Sequence, residues 1–287
     1  MAGTRSRTLY ILSLIVLGSA CKAPYEEHRL VEPKTGRPYT VVESDRHPEP
    51  TGKPALFVLH AFMTDPEWSV RDSWLKGIVV DRKNWLMIVP EGLKDKNGHH
   101  CWNASVGCCA KDMAIKPDDV GYLRSVLSDV ETRFNVDENR VFAFGASNGG
   151  FMAHRWACDS GGQISGIISI AGVGPGEDDP PCSPGNRVDI LQVHGKQDQR
   201  ILYEGKDVGA DPYPSVKDTV SMWTRLNRLP MKPTEENRWT LLLGAVERET
   251  WQDNRSRVSL WTVADGGHHL NGLRYMLPEL IDFLDSK

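Results

Sequence analysis

A glycine-rich turn between an apolar run and a helical pattern most limits the folds open to this chain. The turn is Gly145-Ala146-Ser147-Asn148-Gly149-Gly150, between the run Arg140–Phe144 and the pattern Phe151–Cys158. A strand, a sharp turn and a helix match the G-x-S-x-G arrangement, which presents a serine on a strained turn. Small neighbours are required there, and the helix N-terminus lies beside any negative charge that forms at the serine. Such turns are common after strands, so it is the context below that makes Ser147 a candidate nucleophile.

Short apolar runs alternate with helical patterns beyond residue 38. Several runs are continuously apolar, as is typical of parallel strands covered on both faces. The predicted strands are Pro38–Val42 at one edge, then Ala55–His60, Trp85–Pro90, Arg140–Ala146, Gly166–Gly172, Val188–His194 and Val258–Val263. Apolar residues at helical spacing follow Asp118-Asp119 and recur over Leu273–Phe283. The alternation predicts one α/β domain over residues 38–287, with a mostly parallel central sheet flanked by helices.

The amino terminus has the pattern of an export signal. Arg5 and Arg7 precede the apolar run Leu9–Leu17, which is too short to span a bilayer comfortably. The following Leu17-Gly18-Ser19-Ala20-Cys21 resembles the lipobox of bacterial lipoproteins, in which the cysteine is lipidated. The alternative is an ordinary secretory signal in which Cys21 is incidental. We therefore expect a signal peptide over residues 1–20, a tether over 21–37, and a cell-envelope lipoprotein, or a secreted protein if Cys21 is not lipidated.

The net charge and the cysteine content limit the kinds of ligand and of cross-link that we expect. The formal net charge of -4 over 287 residues gives no electrostatic reason to expect nucleic acid. Five cysteines follow Cys21, and all are disulfide candidates: Cys101, Cys108, Cys109, Cys158 and Cys182. Export favours disulfides, and an odd count leaves one thiol over. We expect at least one bridge between the segment Cys101–Cys109 and Cys158 or Cys182. No C-x-x-C pair occurs, so a zinc ribbon has little support, and we expect no metal and no cofactor.

A serine nucleophile needs a base and an acid that orients the base. One known arrangement places these residues in the chain order Ser, acid, His, each on a loop after a strand. In this order Asp198, after the strand Val188–His194, is the candidate acid, and His268, after the strand Val258–Val263, is the candidate base. Each alone would more often be an ordinary loop residue, but three candidates in this order at strand ends are much less common. His269 remains an alternative base.

Two further groups of residues are candidates for binding. The backbone N–H groups of Asn148 and Phe62 are expected to form an oxyanion hole, with Ala61 and Met63 as alternatives to Phe62. Trp102 and His60 are candidate substrate contacts. For Trp102 the alternative is packing of its own loop, and for His60 it is a structural histidine.

Taken together, these motifs resemble the polyhydroxybutyrate-depolymerase-type esterases, which include feruloyl and acetylxylan esterases. The resemblance rests on Leu59-His60, Trp102-Asn103-Ala104, Cys108-Cys109, Asp118-Asp119-Val120, Ser147-Asn148-Gly149-Gly150, Ala157-Cys158, His194-Gly195, Asp198 and Gly266-Gly267-His268. It implies an α/β-hydrolase fold and a triad of Ser147, Asp198 and His268. Ala61 stands where the family usually has glycine, and His269-Leu270 where a Trp-Pro pair is common.

The resulting functional hypothesis is an exported serine carboxylesterase acting on feruloyl or acetyl esters of plant cell-wall polysaccharide. We expect a monomer that takes a small-molecule or polysaccharide ester and meets a membrane only through the lipid on Cys21. The alternatives are a polyester depolymerase, a peptidase, and a non-catalytic lipid-anchored binding protein on a hydrolase fold. The presence of Ser147, Asp198 and His268 together argues against the last.

Replacement of the lipobox cysteine tests the anchor. Cys21→Ala should move the protein from the membrane fraction of a bacterial host into the soluble fraction, because buried lipid chains contribute about 0.8 kcal/mol per CH₂. Fractionation and intact mass measure this. Wild-type protein that is wholly soluble, with the mass of simple signal cleavage, would refute lipidation.

Overall fold

A computed structural model of the protein describes residues 25–44, 51–108, 116–206, 211–241, 244–270 and 272–285. The strands of the described residues are β1 Tyr25–Val31, β2 Pro38–Ser44, β3 Lys53–Leu59, β4 Leu86–Pro90, β5 Leu93–Lys94, β6 His100–Cys101, β7 Val136–Ala146, β8 Gly166–Ile170, β9 Asp189–Gly195, β10 Glu235–Leu241, β11 Gly244–Gln252 and β12 Arg257–Val263. The helices are α1 Glu67–Arg71, α2 Ser73–Lys76, which continues as a π-helix over Gly77–Arg82, α3 Asp119–Arg133, α4 Asn148–Asp159, α5 Val216–Leu226 and α6 Leu273–Asp285.

Ten of these strands form one mixed sheet in the order β1-β2-β4-β3-β7-β8-β9-β12-β11-β10. The six central strands, from β4 to β12 in that order, pair in parallel. Antiparallel strands extend the sheet at both ends. Because the central strands are parallel, the loops that follow β3, β7, β9 and β12 all lie at the carboxyl ends of these strands, on the same side of the molecule. The candidate site lies in those loops.

Both faces of the central sheet are buried. Successive side chains of a strand point to opposite faces. In β3, Phe57 belongs to the core with α3 and α4, where its ring lies edge-on to Trp156 at 4.7 Å between centroids. Its neighbours Leu56 and Val58 belong to the opposite core, beneath the π-helix and α6. Apolar side chains are therefore needed at every position, which accounts for the continuously apolar runs.

The antiparallel ends of the sheet differ from the prediction. Residues 21–37 were expected to be a tether, but Tyr25–Val31 form β1. Pro38–Val42 is consequently not at the edge, since β2 lies between β1 and β4. Strands β10 and β11 were not predicted. Their sequences, like that of β1, are rich in charged residues because these outer strands are partly exposed to solvent, and polar strands of this kind lack a clear apolar pattern.

Residues 1–24, and with them the predicted signal peptide and Cys21, lie outside the described residues. Within the described part of the chain, no helix is both long enough and apolar enough to cross a bilayer.

The cysteines pair differently from the expectation that a bridge would join Cys101–Cys109 to Cys158 or Cys182. Cys158 and Cys182 bond to each other, with 4.5 Å between their Cα atoms. Cys101 is also disulfide-bonded, Cys108 is a free thiol, and Cys109 lies outside the described residues. Cys158 lies ten residues into α4 from Asn148, and a rise of 1.5 Å per residue puts it about 15 Å from the loops around the elbow. That distance explains why Cys158 pairs with the neighbouring loop instead.

Removing this bridge should destabilise the protein. The Cys158→Ala, Cys182→Ala double variant should lose about 3 kcal/mol in its free energy of unfolding, because the bridge closes a loop with a sequence separation of 24. Urea denaturation measures the loss, with Cys108→Ala as the control that removes a thiol but no bridge. Equal stability of the double variant and the wild type would contradict the expectation.

Candidate active site

Ser147 occupies the sharp turn between β7, which ends at Ala146, and α4, which begins at Asn148. Its φ of 52° is unusual for a residue other than glycine and strains the backbone. The Ser147 N–H donates to the Ile170 carbonyl oxygen at 2.7 Å, which ties the turn to the end of β8. The strand, strained turn and helix predicted from the sequence are therefore present, and the turn holds Ser147 at the carboxyl ends of the central strands.

Close backbone packing explains the glycine that follows the turn. A Cβ on Gly149 would lie 2.1 Å from the Leu59 carbonyl oxygen and 2.7 Å from that of His60. Any larger residue would push the start of α4 away from the end of β3. Glycine thus allows Asn148 to lie beside the loop after Leu59, where the predicted oxyanion donors come from.

Three of the predicted site residues meet by hydrogen bonds. The Oγ of Ser147 lies 3.0 Å from Nε2 of His268. The other ring nitrogen, Nδ1, lies 2.8 Å from Oδ2 of Asp198. A carboxylate only accepts hydrogen bonds, so Nδ1 carries the proton and Nε2 of a neutral imidazole is free to accept the serine proton. The arrangement is that of a nucleophile, a base and an orienting acid.

The loops that carry the acid and the base are tied to each other. The Lys196 N–H donates to the Val263 carbonyl at 2.9 Å, and the Gln197 N–H donates to that of Gly266 at 2.9 Å. A Cβ on Gly195 would lie only 2.2 Å from the Gly266 oxygen. These contacts set the spacing between the two loops, which follow the adjacent parallel strands β9 and β12.

Asp198 is buried yet held as a carboxylate. Burial by itself raises its pKa, but hydrogen bonds from His194, His268 and the backbone N–H groups of Ile201 and Arg200 outweigh burial, so the pKa lies well below its usual range. Both backbone bonds reach Oδ1, at 2.8 Å from Arg200 and 3.0 Å from Ile201. The carboxylate therefore stays ionised and cannot rotate.

His269, the alternative base, is exposed. Its ring packs edge-on against His268 at 5.4 Å between centroids. Among the hydrogen bonds of the described residues, none joins His269 to Ser147 or Asp198. The geometry favours His268 as the base.

The predicted oxyanion donors lie on the two segments that Gly149 brings together. Asn148 is the first residue of α4, so its N–H is one of those without an intrahelical partner and points out at the positive end of the helix dipole. Of the alternatives in the facing loop, Met63 donates its N–H to the His100 carbonyl at 3.1 Å. Met63 is thus already engaged, which leaves Phe62 and Ala61 as candidates for the second donor.

The predicted substrate contacts of Trp102 and His60 do not fit the structure. Trp102 is fully buried, its ring stacks on that of His60 at 4.8 Å, and its indole N–H donates to the His60 carbonyl at 3.0 Å. The Nδ1–H of His60 donates to the Ala61 carbonyl, and its Nε2 accepts from the Gly92 N–H, both at 2.9 Å. Burial lowers the pKa of His60 to about 4, which keeps it neutral. Trp102 therefore packs its own loop, and His60 is a structural histidine, as the two alternative interpretations had it.

The side chains of Asn148 and Asp119 position loops beneath the site, and these side-chain roles were not predicted from the sequence. The side chain of Asn148 accepts from the Trp102 N–H at 2.8 Å and donates to the Trp102 carbonyl at 3.0 Å and to Cys108 Sγ at 3.3 Å. Buried Asp119 accepts from Arg37 and from the Asn103 N–H, both at 2.7 Å. The motifs Trp102-Asn103 and Asp118-Asp119 marked these segments, but partners as far apart as Arg37 and Asp119 leave no local signal.

One group of described residues brings three possible metal ligands together. Glu26, His28 and Glu43 offer one atom each within 4.8 Å of one another. They lie on β1 and β2, at one end of the sheet, with β4 and β3 between them and β7, the strand that leads to Ser147. Glu43 already pairs with Lys53 at 3.1 Å, and this surface group takes no part in the site.

Comparison with known proteins agrees with the fold and the resemblance. No family model matches the chain. It is 29% identical over 237 residues to "Putative esterase NocK" of Nocardia uniformis subsp. tsuyamanensis, covering 76% of this chain and 66% of that protein. It is 26% identical over 180 residues to feruloyl esterase B of Piromyces equi, covering 58% of this chain and 31% of that enzyme. The match thus spans less than two thirds of either relative.

Solved structures show the same architecture. An acetyl xylan esterase from Aspergillus awamori aligns with a TM-score of 0.65 at 12% identity, covering 90% of this chain and 99% of that one. A Bacillus cereus carboxylesterase aligns with a TM-score of 0.56 at 13% identity, covering 92% and 95%. The predicted α/β-hydrolase fold is confirmed, as is the predicted resemblance to esterases.

Removal of the serine hydroxyl should abolish ester hydrolysis without unfolding the protein. Ser147→Ala should lower kcat by about 10⁴–10⁶-fold, as in other triads, and His268→Ala should be nearly as damaging. Asp198→Asn should also be severe, because an amide favours the wrong imidazole tautomer. Initial rates with p-nitrophenyl acetate measure these losses.

His269→Ala is the matched control for the base, since it removes the adjacent imidazole and should reduce kcat only mildly. Reversed effects of the two histidine variants would transfer the role to His269. More than a tenth of wild-type activity in Ser147→Ala would exclude Ser147 as the nucleophile.

Proposed function

We propose that this protein is a serine carboxylesterase that works through an acyl-enzyme. The observation that carries the proposal is the chain of hydrogen bonds from Ser147 Oγ through His268 to Asp198, at 3.0 and 2.8 Å. Sequence similarity to two esterases supports the same reaction class.

In the proposed reaction, Ser147 Oγ attacks the ester carbonyl carbon while its proton passes to His268 Nε2. The tetrahedral oxyanion accepts hydrogen bonds from the N–H groups of Asn148 and Phe62, donors of a kind worth roughly 3–4 kcal/mol each. Collapse breaks the bond to the alcohol oxygen, and His268 returns the proton to that oxygen. Water then attacks the acyl-enzyme while its proton passes to His268; the bond between the acyl carbon and Ser147 Oγ breaks, Oγ takes the proton back from His268, and the acid is released.

We further propose feruloyl or acetyl esters of plant cell-wall polysaccharide as substrates. The names of a sequence relative, feruloyl esterase B, and of a structural neighbour, acetyl xylan esterase, motivate this choice. The loop predicted to carry the second oxyanion donor also exposes apolar side chains, with Phe62 37% and Met63 60% exposed. An aromatic or short acyl group next to the oxyanion would find an apolar surface there.

We also propose export to the cell envelope with a lipid on Cys21, and action as a monomer. The support is the basic and apolar pattern over residues 5–21, which matches a lipoprotein signal. The Cys158–Cys182 disulfide is compatible with an oxidising compartment.

A substrate panel tests the proposed activity. The wild type should hydrolyse p-nitrophenyl acetate and methyl ferulate, and release acetate from acetylated xylan, while Ser147→Ala should not exceed the background rate. Initial rates by absorbance and chromatography are the measurement. Poly(3-hydroxybutyrate) serves as the comparison substrate.

The outcomes separate the hypotheses. Release of 3-hydroxybutyrate with no cleavage of methyl ferulate or acetylated xylan would favour the polyester depolymerase. No hydrolysis of any ester by folded wild-type protein would overturn the esterase and favour the lipid-anchored binding protein.

A further inference from the structure

Two polar residues of β9 face the helices on one side of the sheet and lie behind the catalytic acid. Gln192 and His194 are two apart, so they share a face, and both are fully buried. Across from them lie His154 of α4 and Trp223 of α5, which are also fully buried. None of these four residues has a part in the proposed reaction. Their hydrogen bonds nevertheless form a continuous line from Trp223 to His194, whose Nε2 lies 3.4 Å from Asp198 Oδ2.

Trp223, the first residue of this line, determines which atoms donate and which accept. A tryptophan indole N–H can only donate. It lies 2.9 Å from Nδ1 of His154, so that nitrogen must be the acceptor. Burial lowers the pKa of His154 to about 4, so the ring is neutral and its single proton is on Nε2. That Nε2–H donates to the Gln192 Oε1 at 2.9 Å.

Gln192 in turn determines which nitrogen of His194 accepts a hydrogen bond. With its oxygen toward His154, its amide nitrogen faces the Gly172 carbonyl at 2.8 Å and Nδ1 of His194 at 3.4 Å. An amide NH₂ only donates, so His194 Nδ1 accepts, and the proton of a neutral His194 is on Nε2. That nitrogen lies 2.9 Å from the Ile201 carbonyl and 3.4 Å from Asp198 Oδ2, and both oxygens require a donor.

We propose that His194 is a positioning residue for Asp198, and that Trp223, through His154 and Gln192, fixes the His194 tautomer that this role needs. The proposal rests on the esterase function proposed above. In the Nε2–H tautomer, His194 shares its proton between the Ile201 carbonyl and Asp198 Oδ2. In the other tautomer, a nitrogen lone pair would face both oxygens and repel the carboxylate.

The consequence concerns the geometry of the reacting groups. Asp198 Oδ2 accepts from His268 Nδ1–H at 2.8 Å and faces His194 Nε2 at 3.4 Å, while its Oδ1 accepts from two backbone N–H groups. With all four donors in place, the carboxylate has one orientation, and His268 presents Nε2 to Ser147. Loss of the His194 donor should leave substrate binding intact but reduce the fraction of enzyme with this alignment.

The tautomer can be measured directly, without substrate. In protein labelled with ¹⁵N-histidine, long-range ¹H–¹⁵N correlation spectra should show His154 and His194 as Nε2–H tautomers in the wild type. Trp223→Phe should leave His194 as a mixture of tautomers. Trp156→Phe is the matched control, because Trp156 is equally buried and its indole N–H has no partner among the described residues; its His194 signals should match the wild type. An Nδ1–H tautomer of His194 in the wild type would overturn the proposal.

Kinetics test the role of the donor. His194→Phe should lower kcat for p-nitrophenyl acetate by about 10-fold to 100-fold, the loss expected for a hydrogen bond to a charged group, with KM within twofold. His194→Gln, whose amide can donate from a similar position, should recover part of kcat. Unchanged kcat in a folded His194→Phe variant would contradict the role. If that variant does not fold, the tautomer measurement and the kcat of Trp223→Phe against Trp156→Phe decide.

Reaction with diisopropyl fluorophosphate separates this proposal from the proposed function. There the Ser147 Oγ forms a bond to phosphorus, the P–F bond breaks, and the proton passes to His268 as fluoride leaves. Wild-type protein that fails to react would refute the nucleophile and hence the esterase. Wild-type protein that reacts, together with His194→Phe that reacts equally fast, would refute only the positioning role.

Discussion

The site depends on how closely the start of α4 approaches the end of β3. Gly149 permits this approach, because a Cβ there would lie 2.1 Å from the Leu59 carbonyl oxygen. The same turn holds Ser147 at a φ of 52°, a strain that the packing of α4 against β7 and β8 must offset. This backbone contact therefore brings the turn of Ser147, the proposed nucleophile, next to the loop that is proposed to supply the second oxyanion donor.

Around that contact, buried polar groups replace apolar packing. Asn148 pairs with both backbone groups of Trp102, and Asp119 joins Arg37 to the Asn103 backbone. A buried polar group left without a partner costs about 1–3 kcal/mol, so such networks tolerate few alternative loop conformations. Trp102 is buried within this network and cannot present its ring to a substrate. The apolar side chains exposed on the loop after β3 are instead those of Phe62 and Met63.

The acid receives support of a similar kind from further along the same face of the sheet, where α4 and α5 pack. Asp198 is ionised although buried, because four donors surround its two oxygens. One of them, His194, is in turn oriented by Gln192, His154 and Trp223, which belong to three different elements. The parallel strands β9 and β12 place the loops of Asp198 and His268 side by side, and backbone hydrogen bonds join those loops. The proposed catalytic alignment thus depends on tertiary contacts well behind the reacting atoms.

The amino-acid sequence by itself determined the central strands, the elbow at Ser147 and the chain order of Ser147, Asp198 and His268, because apolar runs, glycines and strand-end loops leave local signals. It did not determine β1, β10 and β11, since polar outer strands lack a distinct period. Nor did it determine the Cys158–Cys182 pairing, the choice between His268 and His269, or the burial of Trp102. Each of these depends on which segments the folded sheet brings together. Only the tertiary structure, in which residues as far apart as Trp223 and Asp198 are joined through one line of buried polar contacts, could decide them.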